Sequence, residues 1–145
     1  MLDQTSTKRG AATTNVEAAS RRTLVVLAED DTDMRELIAQ HLRRRGFEVE
    51  EAADGDELST ILHRLAASRS RPTVVLSDVH MPGRDGLELL RESRALLPDV
   101  PVVMMTASGN SGTRTAAAEL GAVALLDKPL DLVRLEHFIT DLVTT

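Results

Sequence analysis

The chain has 145 residues, no cysteine and a formal net charge of −6, which suits one domain that buries its core without disulfides or thiolate-bound metal. The acidic balance argues against broad nucleic-acid binding, and the apolar runs are strand-sized, too short to span a membrane. No apolar stretch near the N-terminus marks a secretory signal, so a cytoplasmic protein is expected.

Residues 1–22 carry Lys8, Arg9, Arg21 and Arg22 against Asp3 and Glu17, a balance of +2 that leaves −8 on the rest. They are rich in Ala, Thr and Ser and lack apolar periodicity. A disordered tail is the expectation, with a basic recognition arm as the alternative, ahead of a folded domain over 23–145. From Thr23 the pattern alternates. Residues 23–28 read as a strand and 33–45 as a helix with Met34, Leu37, Ile38 and Leu42 on one face. Gly46 follows in the position that closes helices. A short polar strand over 48–52 suits a sheet edge. A helix over 54–67 turns Leu58, Ile61, Leu62 and Leu65 inward, and a strand over 73–78 ends in Asp78. A helix over 85–96 carries Leu87, Leu89 and Leu90, with Leu97 beyond it. A strand over 101–105 precedes Thr106, and a helix of small residues over 111–120 is ended by Gly121. A strand over 123–126 leads through Asp127 to Lys128, and a helix over 131–143 starts from Asp131 as N-cap.

Five strands alternating with five helices predict an α/β fold, a parallel sheet covered on both faces with right-handed crossovers. The (βα)5 flavodoxin-like strand order 2-1-3-4-5 puts the polar second strand at an edge. In such sheets ligands bind beyond the carboxyl ends of the strands, at the switch point between the first and third. Glu29 and Asp30 end the first strand and Asp78 ends the third, so pattern and topology select the same place.

Carboxylates crowded together repel one another, and burial raises their pKa values. A divalent cation resolves the conflict. All-oxygen donors favour a hard ion, Mg²⁺ or Mn²⁺. Asp78 stands alone at its strand end and is the better nucleophile toward phosphorus. Phosphoryl transfer needs mainly positioning and charge neutralisation, which Lys128 supplies as a compact cation and Thr106 as a hydrogen-bond donor. Only two of the 17 basic residues are lysines, Lys8 and Lys128. The competing readings are a solvated acid cluster for Glu29 and Asp30 and a strand-end surface lysine for Lys128.

The segments LAEDDTDMR, VVLSDVHMPGRDGLELL, VVMMTASG and LLDKPL resemble bacterial two-component response-regulator receiver domains, the chemotaxis-regulator-like superfamily, over residues 23–143. The resemblance implies Asp78 as phosphoacceptor and Glu29 with Asp30 as the acidic pair. It implies the His80 backbone carbonyl as a further metal ligand, Thr106 as the switch hydroxyl and Lys128 as the phosphate-contacting lysine. It also implies a cis Lys128–Pro129 bond. The donor is expected to be a histidine kinase or phosphotransfer protein. The chain would catalyse only its own phosphorylation and dephosphorylation, as a monomer or phosphorylation-dependent dimer. His80 and Ser108 fall where the family tunes hydrolysis of the acyl phosphate, although a solvent-facing histidine serving only through its carbonyl is the other reading of His80.

The chain departs from the family pattern at two places. Leu125 stands where the family usually carries Tyr or Phe, and Leu130 follows the Lys-Pro pair. In the last helix Leu132, Leu135, Ile139 and Leu142 form an inner stripe, with Val133 nearly opposite and Phe138 at its edge. Leu125, Val133 and Phe138 are therefore candidates for an apolar partner face across the fourth helix, fifth strand and fifth helix. Isolated exposed apolar residues are the ordinary alternative.

The expected function is a phosphorylation-activated switch with output through contact with a downstream protein. The chain ends at Thr145, two residues past the predicted last helix, so no output domain is expected to follow. It is a single-domain regulator or a receiver fragment of a larger multidomain one. The rival readings are an aspartate-nucleophile, magnesium-dependent phosphohydrolase and a flavodoxin-type cofactor carrier. The first would want an acid where His80 stands, and the second an aromatic residue to stack on a flavin.

Overall fold

The computed structural model describes residues 23–68 and 71–144. The expected tail over 1–22 lies outside them. In chain order the elements are β1 (Leu24–Ala28), α1 (Thr32–Arg44), β2 (Glu48–Ala52), α2 (Gly55–Ala67), β3 (Val74–Asp78), α3 (Gly86–Leu96), β4 (Val102–Thr106), α4 (Ser111–Glu119), β5 (Ala124–Asp127) and α5 (Leu132–Thr144). All strand pairs are parallel, in the order β2-β1-β3-β4-β5.

The strand sequences explain this order. LVVLA, VVLSD and VVMMT are near-continuous apolar runs, and a central parallel strand needs them because both of its faces are covered. EVEEA at β2 is polar and takes one edge, where its charges meet water and discourage pairing with another chain. Alternate residues feed two cores. Val26, Val75, Val102 and Met104 pack with α2, α3 and α4 through Leu58, Leu62, Leu89, Leu90 and Ala117. Val25, Leu27, Val74, Leu76, Val103 and Met105 pack with α1 and α5 through Ile38, Leu42, Leu135 and Ile139.

Each helix begins on an Asp or Asn whose side chain accepts from the first turn: Asp31 from Met34 N, Asp54 from Glu57 N, Asp85 from Leu87 N, Asn110 from Thr113 N and Asp131 from Val133 and Arg134 N. These bonds satisfy donors that the helix itself leaves open. Gly46 and Gly121 leave α1 and α4 with positive φ, 93° and 99°, a region costly for any side chain with a Cβ. Gly86 is required for space. A Cβ there would lie 2.4 Å from the Val79 carbonyl oxygen and 2.5 Å from that of Asp78.

The predicted elements are present within one or two residues at their ends. β4 runs on to include Thr106, so the hydroxyl residue belongs to the strand rather than following it. Leu37 is a correction to the predicted inner face of α1. It is 51% exposed, while Ile38, Ala39 and Leu42 are buried. A helix buries a stripe, and Leu37 lies on its flank, a step of about 100° from Ile38. In α5, Leu135 and Ile139 are buried and Leu132 and Leu142 half-buried, so the predicted stripe holds. The Lys128–Pro129 bond is cis.

Candidate functional site

Parallel strands all end at the same crest, so the residues after β1, β3, β4 and β5 converge there. Glu29 follows β1 and is tied to the edge strand by its N–H to the Ala52 carbonyl, 3.0 Å. Asp78 closes β3, and the next N–H, that of Val79, donates to the Met105 carbonyl at 2.8 Å. Glu29, Asp78 and Thr106 are all buried, whereas Asp30 is exposed. Carboxylate oxygens of Glu29, Asp30 and Asp78 lie within 4.8 Å of one another.

Lys128 offsets part of the buried charge of this cluster. Its Nζ donates to Glu29 Oε1 and to Asp78 Oδ2, both at 2.6 Å. Asp31 N–H donates to Glu29 Oε2 at 3.0 Å, and His80 N–H to Asp78 Oδ1 at 3.0 Å. Burial pushes the Glu29 carboxyl above its ordinary range and the Asp78 charge adds to this, while Lys128 and the Asp31 N–H pull part of it back. Burial alone would lower the Lys128 ammonium, but its bonds to Asp78 and Glu29 outweigh that and hold it above its usual value. The ammonium therefore stays charged through neutral pH.

The donor set fits a hard cation. It offers oxygen from three carboxylates, with no sulfur and no imidazole among the grouped ligands. The His80 side chain is exposed on the turn after β3. An open cavity of 560 Å³ adjoins the cluster, lined by Asp30, Asp85, Thr113 and the turn Val79–Pro82 with Leu87. It lies beside the turn that follows Asp78.

Thr106 is linked to its neighbours through the backbone. Its Oγ1 accepts from Ser108 N–H at 3.1 Å, and its carbonyl accepts from Lys128 N–H at 2.8 Å. Thr106 is thus tied to the residue that follows β5. At the end of β5, Asp127, opposite Thr106 in register, receives Arg114 Nη2 of α4 at 2.7 Å on both carboxylate oxygens. Gly109 fits beneath this pair. A Cβ on it would stand 2.9 Å from Thr106 Cγ2 and 3.0 Å from Asp127 Oδ1.

The structure brings Glu29, Asp30, Asp78 and Lys128 together, with Thr106 one strand away. The three candidates for a partner face separate. Val133 is 50% exposed on α5. Leu125 is half-buried against the α2–α4 core and Phe138 against the α1–α5 core, on opposite sides of the sheet. Sequence reading missed Arg35, whose Nη1 donates to the Glu29 carbonyl at 2.8 Å, and the Arg114–Asp127 pair. A signal for Arg35 existed. A cation early in a helix opposes the helix dipole and calls for a partner. Nothing local links Arg114 to Asp127, which are 13 residues apart.

A model of the response regulator receiver domain family matches residues 25–140. The transcriptional regulatory protein PrrA of Mycobacterium tuberculosis is 37% identical over 111 residues, 77% of this chain and 46% of that protein. The C4-dicarboxylate transport transcriptional regulatory protein DctD of Pseudomonas aeruginosa is 36% identical over 108 residues, 74% of this chain and 22% of that protein. The chain thus spans less than half the length of these curated relatives. Among solved structures, a CheY-like response regulator receiver domain protein from Methanospirillum hungatei superposes with a TM-score of 0.75 at 26% identity, covering 84% of this chain and 94% of that one.

Proposed function

This chain belongs to the response regulator receiver domain family, and from that premise we propose that Asp78 is its phosphoacceptor, with Glu29, Asp30, Thr106 and Lys128 as the supporting site. The observation that carries the reading is the Lys128 ammonium, 2.6 Å from both Glu29 and Asp78 in a buried acid cluster. A cation already held on the nucleophile's carboxylate is placed to meet the phosphoryl oxygens that arrive there.

Glu29, Asp30, Asp78 and the His80 carbonyl would hold Mg²⁺ or Mn²⁺, which when bound supplies positive charge to the phosphoryl oxygens. The protein's own residues do the rest. The Asp78 carboxylate attacks phosphorus. The P–N bond of a phosphohistidine on a histidine kinase or phosphotransfer protein breaks, its electron pair going to the imidazole. Lys128 passes from the Asp78 oxygen to a phosphoryl oxygen. Thr106 turns its hydroxyl from Ser108 N–H toward the same group. The modification adds about −1.5 to −2 charges, as for an ordinary phosphomonoester, and the backbone bond from Thr106 to Lys128 carries the change to the β5 edge.

Output is through contact of that edge with a downstream protein, with Val133, half-exposed on α5, as an apolar candidate. Curated relatives are transcriptional regulatory proteins longer than this chain, and the switch acts in the cytoplasm. Among the described residues no helix is long and apolar enough to cross a membrane. The receiver unit is taken as residues 23–145, and its catalysis as limited to its own phosphoryl group.

The test is intact-mass measurement after treatment with acetyl phosphate or phosphoramidate and Mg²⁺. The expected result is one phosphoryl group on the unsubstituted protein and none on Asp78→Asn. An adduct of equal yield on Asp78→Asn would refute the assignment.

A further inference from the structure

Arg35 is the fourth residue of α1, where a cation gains nothing from the helix dipole. It is nonetheless well held. Nη1 donates to the Glu29 carbonyl at 2.8 Å and Nε to Glu51 Oε1 at 3.3 Å, and only 14% of the side chain is exposed. Glu51 is gripped from its other oxygen by Arg43 Nη1 at 2.9 Å, while Arg43 Nη2 donates to the Val49 carbonyl at 2.7 Å. A chain of charge-assisted bonds therefore runs from the edge strand β2 to the peptide that joins Glu29 to Asp30.

That peptide is planar, so a bond to its carbonyl fixes the plane holding Asp30 N and Cα as well. Glu29 has other anchors: its N–H to Ala52, Oε1 to Lys128 and Oε2 to Asp31 N–H. Asp30 is exposed, and where its carboxylate stands relative to Glu29 and Asp78 depends on how the peptide before it is turned.

We infer that Arg35 is a positioning residue of the divalent-cation site: by gripping the Glu29 carbonyl it holds Asp30 where its carboxylate can join those of Glu29 and Asp78 around a hard cation. It touches no reacting atom and acts through the peptide. The inference rests on the reading of this acid cluster as a cation site.

Charge and geometry predict opposite signs here. A guanidinium beside carboxylates repels an incoming divalent cation, so loss of its charge alone tightens binding. Loss of the positioning bond weakens it, by about tenfold, the low end of what the outer partner of a metal ligand contributes. Calorimetric titration with Mg²⁺ of the unsubstituted protein, Arg35→Gln, Arg35→Lys and Glu51→Gln, with urea unfolding of each in EDTA, separates the two. The expected result is binding about tenfold weaker in Arg35→Gln. Arg35→Lys recovers part of it, because an ammonium reaches one acceptor but cannot span both. Glu51→Gln shows a smaller loss. Unchanged or tighter binding in a folded Arg35→Gln overturns the inference. Should that variant fail to fold, Glu51→Gln decides, since it replaces no residue of α1 and no crest carboxylate, and unchanged affinity there overturns the inference. Absence of binding to the unsubstituted protein overturns the site reading itself and this inference with it.

Discussion

Replacing Lys128 by methionine removes the ammonium and keeps an unbranched apolar stem in its place. Glu29 and Asp78, with side chains 1% and 7% exposed, then face one another without a cation. Breaking a buried pair by removing one partner costs about 3–5 kcal/mol. Two features of this site favour the lower figure. The Lys128 side chain is 17% exposed, so solvent screens part of the interaction. Burial already pushes the Glu29 carboxyl upward, so in the variant it takes up a proton before the full repulsion is felt. The expectation is a loss of about 3 kcal/mol near neutral pH in EDTA. The pH dependence follows from linkage. A carboxyl whose folded pKa lies above its unfolded value costs stability at pH above the folded value, and the cost disappears as pH falls through it toward the unfolded value. The variant's deficit therefore shrinks on acidification from neutrality. Magnesium in excess restores the missing positive charge. A ligand at a hundredfold its dissociation constant stabilises by about 2.7 kcal/mol, and the variant gains more than the unsubstituted protein at equal magnesium, because no ammonium competes in its site. Urea unfolding of both proteins, in EDTA and in magnesium, at neutral and mildly acid pH, measures each quantity. Equal midpoints in EDTA, or a deficit that neither magnesium nor acid reduces, would show that Lys128 does not hold this cluster.

Three further outcomes are expected. Leu135→Ala, at a position 2% exposed, should cost about 2–5 kcal/mol in urea unfolding, and Val133→Ala, half-exposed on the same helix, within about 0.5 kcal/mol; equal losses would mean that α5 does not bury the stripe described. Glu92→Gln should flatten the acid side of the stability profile. Burial would raise the Glu92 carboxyl, but bonds from the Ser59 hydroxyl and the Arg84 guanidinium outweigh it and hold the group below its ordinary value. Its contribution is thus present above the unfolded value and lost as pH falls through the folded one, and an unaltered acid limb in the variant would contradict that. Gly86→Ala should lose about 3 kcal/mol or more, since its Cβ meets backbone oxygens of Asp78 and Val79 rather than a side chain that can yield; near-native stability in a melt would show that the β3–α3 junction is not close-packed.

The alternation of apolar runs with helical stripes, the acids and amine at strand ends, and the capping residues are local signals. That is why the five strands, five helices and the group Glu29, Asp30, Asp78 and Lys128 were legible in the chain itself. Leu125 and Phe138 show the limit of such reading. Both are apolar and near one sheet edge, yet the alternation of strand residues sends Leu125 to one core while Phe138 rides on a helix packed against the other. Leu37 sits among inward residues in sequence but on the flank of α1 in space.

Sequence by itself thus determined the crest and the side chains that end on it, because each strand carries its own terminus wherever it lies in the sheet. Only the tertiary structure decided how those side chains are held. The Lys128 bridge spans 99 residues to Glu29 and 50 to Asp78, and Arg35 of α1 meets Glu51 of the edge strand β2. Such contacts arise from strand order and register, which set distances that no spacing along the chain encodes.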